Sequence, residues 1–278
     1  MLTPTADSPK ATVSPQPTFT VPSSPPASDQ DHYWFGRPVP QGSTVWTDKS
    51  YPYGSTKGDT LRPHHGVEFN VPRGTTVLAV ADGTVRVAGS DTTVATGPAP
   101  AFYGNVVVIE HDFTVEGKAI YTLYGHLAEV LVQTGQSVEA NEVIGLSGAS
   151  GVADGPHLHF EVRVGQNSYG ATRNPLLWLY PFPERGVVAG RVTWPDGSLA
   201  SQVPLQLRRL DAPSAYAATT TYAAGNLNSD DRWQENFAFD DVEAGFYELT
   251  VGAGQAIQKF ELWVYPYQTN FIEVDLQG

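Results

Sequence analysis

The sequence predicts an all-β protein built of antiparallel sheets in two successive units, and three observations carry that expectation. Its 27 glycines and 22 prolines demand many tight turns. Short runs of alternating apolar and polar residues recur between those turns, as over residues 75–89, where an Asp-Gly pair at Asp82 and Gly83 breaks the run. No window of helical length has the 3.6-residue apolar period of an amphipathic helix.

Taken in order, residues 1–31 are rich in Pro, Ser and Thr and poor in large apolar groups. Such a segment buries too little surface to offset its ordering entropy, so it is expected to be a disordered spacer. Spacers of this kind commonly tether an extracellular domain to a membrane or wall. From Trp34 to about Tyr180, "GNVVVIEHD", "AIYTLYGHL", "QTGQSVEANEVIGLSG" and "PHLHFEVRV" read as short strands. The Pro-rich "YPFPERG" (180–186) marks a boundary, giving expected units of 32–182 and 186–278. Beyond it, about seven alternating runs without a histidine predict a small antiparallel β-sandwich.

Composition excludes several function classes. A net charge of −13 over 278 residues argues against nucleic-acid binding and against adhesion to anionic lipid. With no cysteine, thiolate zinc sites, disulfides and thiol nucleophiles are out of reach, so any metal must be held by His, Asp and Glu. No apolar run is long enough for a membrane span. The first ten residues lack the apolar core of a signal peptide, so export is expected to depend on a targeting segment that this sequence does not include.

The histidines carry the chemistry. In "HLHFEVR" (157–163), strand alternation puts His157, His159, Glu161 and Arg163 on one face and Leu158, Phe160 and Val162 on the core side. A rigid strand would thus present two nitrogen ligands, or one ligand and one base. In "HHGVEFN" (64–70) the same alternation aligns His64, Gly66 and Glu68 and turns His65 away, with Gly66 leaving space for a metal or a water. His64, Glu68 and His159 would supply three protein ligands and an open fourth position, the arrangement of a catalytic zinc site. His126 and His157 would then be free to move protons. His32, His65 and His111 are expected to be surface or satisfied core residues. The sequence has no HExxH, no GxSxG and no phosphate-binding glycine loop.

Over about Tyr51 to Trp178 these motifs, in this order, resemble the lysostaphin/LytM-type zinc endopeptidases of bacterial cell walls. The resemblance implies zinc ligands at His64, Glu68 and His159, catalytic histidines at His126 and His157, and a peptidoglycan peptide as substrate, outside the cell or in its envelope. It departs at Glu68, where the family pattern has Asp. A domain impaired by that change, binding a wall peptide or regulating another hydrolase, is the alternative. The turn-rich segment 89–104 is expected to wall a substrate groove. The C-terminal unit resembles a carboxypeptidase-regulatory-like, transthyretin-like sandwich, which implies a role in stability, spacing or contact with a partner or glycan.

Overall fold

The computed structural model describes residues 22–23, 28–212, 216–225, 227–252 and 257–277. Most of the spacer expected over 1–31 lies outside the described residues. The first half carries β1 (Val67–Phe69), β2 (Thr76–Leu78), β3 (Gly83–Ser90), β4 (Asn105–Val115), β5 (Lys118–Leu127), β6 (Glu129–Val130), β7 (Ser137–Val138), β8 (Val143–Leu146), β9 (Leu158–Val164) and β10 (Thr172–Arg173). Their helical content is limited to two single 3-10 turns, at Tyr169–Ala171 and Pro175–Leu177. The second half carries β11 (Arg185–Thr193), β12 (Pro204–Arg209), β13 (Tyr216–Thr220), β14 (Phe237–Glu243), β15 (Gly245–Val251), β16 (Gln258–Val264) and β17 (Thr269–Asp275).

A seven-stranded antiparallel sheet in the order β1-β9-β5-β4-β3-β7 forms the body of the first half. β1 and β10 share one edge of β9, end to end, while β5 takes the other edge. Alternation drives one face of this sheet into a core built from Val107, Ile109, Ile120, Tyr124, Phe160 and Val162. A small sheet, β2-β8-β6, closes over part of it.

The second half is a sandwich of a three-stranded sheet (β14-β11-β17) and a four-stranded sheet (β13-β12-β15-β16). Val188, Leu205, Leu207, Phe239, Leu249 and Val274 interdigitate between them. One pairing departs from the antiparallel pattern: β17 returns beside β11 in parallel, from Val187 opposite Thr269 to Thr193 opposite Asp275. The first half's core continues into this unit, since Val187, Ala189, Trp233 and Ala238 belong to the same buried cluster. Among the described residues no helix is long and apolar enough to cross a membrane.

Candidate metal centre

β9 is the backbone of the site. Leu158, Phe160 and Val162 point into the core, and His159, Glu161 and Arg163 stand on the opposite face, all of them buried. β1 lies antiparallel to β9 with Glu68 directly opposite His159, so a carboxylate and an imidazole project side by side. Extended alternation from 64 to 68 is only partly realised, because β1 begins at Val67. His64 sits in an irregular segment, its amide donating to Ser55 O (3.0 Å) and its carbonyl accepting from Gly54 N–H (2.8 Å). Its ring stacks on Tyr51 at 4.1 Å.

His65 stays out of the ligand cluster, hydrogen-bonding Thr172 Oγ1 at 2.8 Å and stacking on Tyr169, although it too lines the cavity. Gly66 has a tighter reason than room for a water. A Cβ there would meet Phe160 O at 2.4 Å and the His159 ring at 2.8 Å, so the glycine makes room for the β9 backbone and for the imidazole itself.

The hydrogen bonds fix the tautomers. His64 Nδ1 lies 2.7 Å from the Tyr51 carbonyl, which only accepts, so Nδ1 carries the proton and Nε2 a lone pair. His159 Nε2 donates to the Glu161 carboxylate at 3.1 Å, leaving the lone pair on Nδ1. Those two lone pairs face each other at 3.2 Å, and Glu68 Oε1 stands 3.7 Å from His64 Nε2. Three acceptors aimed at one point repel unless a cation lies between them. A tetrahedron with arms of ~2.0–2.2 Å has edges of roughly 3.3–3.6 Å; the 3.2 and 3.7 Å separations lie close to that range, and all three ligand atoms fall within 4.8 Å of one another. The donor set therefore fits a zinc ion.

Glu161 orients this pair. Burial opposes its charge, yet the Arg163 guanidinium and the hydrogen bonds from His159 and Tyr103 outweigh burial and hold its carboxyl down at about 2. Arg163 grips the other carboxylate oxygen at 2.7 Å, and both side chains are fully buried. This carboxylate–histidine pairing is the kind that sets ring orientation at metal sites. Sequence reasoning placed Glu161 and Arg163 on the right face but gave them no role; the polar i, i+2, i+4 run behind His157 was the available signal. Tyr51 and Tyr103 left no comparable trace.

His126 and His157 complete the cluster, with ring centroids 4.8 Å apart. Gly125 and His126 of β5 together oppose the single residue Val106 of β4, a bulge that puts His126 at φ 59° and swings its ring toward β9. Its Nδ1 donates to Ser150 O at 2.8 Å, while His157 Nδ1 donates to Gly155 O at 2.9 Å. Both rings therefore carry their lone pair on Nε2. His157 Nε2 lies 3.6 Å from Glu68 Oε1, buried and without a hydrogen-bond partner among the described residues. Burial, and then the neighbouring His159, push His126 down to about 3; the same two causes hold His64 well below the usual histidine range.

The five residues open onto a cavity of about 510 Å³. Of the segment 89–104 expected to wall it, Phe102 and Tyr103 do so; the other walls come from residues around 48–63 and 152–156. Arg62 lies over the Phe102 ring at 5.3 Å. His32 and His111 are buried and satisfied, on Asp230 and Thr122 respectively.

Residues 62–171 match the family described as peptidase family M23, a span that includes all five clustered residues. This stretch is a peptidase family M23 domain. The chain is 37% identical over 129 residues to an uncharacterized metalloprotease of Haemophilus influenzae, covering 46% of this chain and 24% of that protein. A peptidoglycan DD-endopeptidase of Vibrio cholerae, ShyA, is 42% identical over 104 residues, covering 37% of this chain and 21% of its own. A solved zinc-containing peptidase from Vibrio cholerae shares 34% identity at a TM-score of 0.39, covering 49% of this chain and 38% of that one. The chain thus spans about a quarter of the length of the curated relatives it matches.

Proposed function

We propose that the chain is a zinc-dependent endopeptidase that cleaves peptide cross-links of bacterial peptidoglycan, working in the cell envelope or outside the cell. His64, Glu68 and His159 hold the metal, and His126 and His157 move protons. The observation that carries this reading is the convergence of His64 Nε2, His159 Nδ1 and Glu68 Oε1 beside two further imidazoles with inward lone pairs. The naming of similar proteins as peptidoglycan DD-endopeptidases supports the substrate class.

Zinc, when bound, supplies a Lewis acid that polarises the scissile carbonyl and lowers the pKa of water toward ~7. The chain's own residues do the rest. His157 Nε2, facing Glu68 and otherwise unpartnered, takes the proton of the attacking water and returns it to the departing amine nitrogen. His126, kept neutral by its burial, sits against His157 and shares that proton traffic. The cavity holds an extended peptide against this floor, with Tyr51 and Phe102 as its aromatic walls.

Glu68 serves as ligand in place of the shorter Asp. Its Oε1 lies within 3.7 Å of two imidazole nitrogens with β1 in unbroken register against β9. Metal analysis with zinc supplied at neutral pH should find one ion per chain. His157→Ala should keep that ion and lose release of peptides from purified peptidoglycan. Absence of stoichiometric zinc would defeat the enzyme reading; bound zinc with no hydrolysis by the unmodified chain would favour a binding or regulatory domain.

A further inference from the structure

His64 lies outside the regular strands, so what fixes it is the segment 51–55. The Tyr51 carbonyl holds its ring, and Gly54 and Ser55 hold its backbone on both sides. That segment is in turn gripped by the C-terminal sandwich. Ala223 N–H donates to Gly54 O at 2.9 Å. The Tyr222 ring packs flush on Gly54, where a Cβ would come within 2.4 Å of it; the φ of +82° there also suits glycine alone.

Tyr222 is itself anchored from behind. Its hydroxyl takes an N–H from Asn174 at 2.7 Å and meets the fully buried Glu235 at 2.7 Å. Tyr53 adds a second grip, its hydroxyl lying 3.2 Å from Thr172 O and 3.1 Å from Asn228 O. Asp231 pairs with Arg173 and with Lys118, each at 2.7 Å, closing the contact around its rim.

We propose that the C-terminal sandwich is a working part of the metal centre: Tyr222 and Ala223 are positioning residues that clamp segment 51–55 and, through it, fix where His64 presents its nitrogen. The proposal rests on the metal-binding reading of His64, Glu68 and His159. It gives the second unit a task inside the same molecule, in place of an independent binding module. A ligand held to within about half an ångström needs such support, because small displacements of a metal-binding atom erode affinity steeply.

The test compares two variants of the full chain. Tyr222→Ala removes the ring that seats Gly54, whereas Leu249→Ala opens the sandwich core on β15, in a cluster that includes neither Tyr222 nor Ala223. Zinc affinity, read by competition with a chromophoric chelator, should fall about tenfold or more in Tyr222→Ala, the range seen for supporting residues of metal sites. It should stay within about twofold in Leu249→Ala, as expected of an uncoupled site. In metal-free protein, amide hydrogen exchange at His64 should quicken in Tyr222→Ala alone. If Tyr222→Ala does not fold, Tyr53→Phe, which removes only a hydroxyl between the halves, carries the same comparison. Unchanged affinity and exchange, or equal losses in Leu249→Ala, would overturn the clamp. A wild-type chain that binds no zinc would defeat the metal reading instead, while the exchange data would still decide the clamp.

Discussion

Glu161→Gln isolates the residue that sets the His159 tautomer. In the native chain Glu161 Oε1 accepts from His159 Nε2 at 3.1 Å and from Tyr103, while Oε2 accepts from Arg163 Nε at 2.8 Å. Arg163 cannot give up its proton, so an amide would keep its oxygen there and turn its NH2 toward His159 and Tyr103. Tyr103 can rotate its hydroxyl and accept. His159 must instead move its proton to Nδ1, the nitrogen that faces His64 Nε2 at 3.2 Å. A hydrogen bond would then occupy the metal's place. Zinc affinity should fall about 10–100-fold, the usual effect of losing such a partner. That corresponds to roughly 1.4–2.7 kcal/mol of binding free energy. The fully buried Arg163 also loses its counter-charge, which should cost about 3–5 kcal/mol of folding stability. Chelator competition reads the first effect and urea unfolding of metal-free protein the second. A folded variant with wild-type zinc affinity would refute the tautomer argument.

Three further outcomes are expected. Glu68→Asp withdraws the carboxylate by about 1.5 Å, one carbon–carbon bond; with Glu68 pinned opposite His159 the strand cannot follow, so zinc titration should show weaker binding. His111 is buried and held neutral at about 4, chiefly by burial. An unfolded histidine takes up its proton near 6.5, so metal-free stability should drop as pH falls from about 6.5 toward 4, by ~1.4 kcal/mol per pH unit for this group. Denaturant unfolding of His111→Gln should show a correspondingly shallower acid slope. Glu235 behaves in the opposite sense: burial, then the Asp230 charge, raise its carboxyl to about 8. The folded state keeps a proton that the unfolded chain releases above about 4.3, so stability is lost as pH rises toward 8. Glu235→Gln should flatten that loss in unfolding measured at pH 5 and pH 8.

Much of this was legible in the sequence because a strand has a period of two. That single rule put Leu158, Phe160 and Val162 in the core and brought His159 and Glu161 to one face. The all-β class followed from the turn residues and the missing helical period. Other features were out of reach because they depend on pairing between distant segments. His126 faces the cluster only because of a bulge opposite Val106, and no local pattern reveals which strand will pair there. Gly66 was read as space for a metal or a water, when the neighbours it must admit are the Phe160 carbonyl and the His159 ring of another strand. The parallel return of β17 beside β11 was equally hidden, since seven alternating runs do not state their order in space.

The four clustered imidazoles share a design that the motifs alone do not disclose. Tyr51, Ser150 and Gly155 offer carbonyls, and Glu161 a carboxylate, each to the ring nitrogen that points away from the cavity. Every ring is thereby obliged to carry its proton outward and its lone pair inward. In a metal-free chain that arrangement is unfavourable, because His64 and His159 place two lone pairs 3.2 Å apart beside a carboxylate. The cost is met by the surrounding fold: the sheet register fixes Glu68 and His159, the bulge fixes His126, and the packed sandwich bears on the segment that carries His64. A cation relieves the repulsion by binding the folded state alone, and such binding adds to folding stability. The strain therefore favours a positive ion at this point over any neutral occupant, and all three ligand atoms already stand within 4.8 Å of one another to receive it.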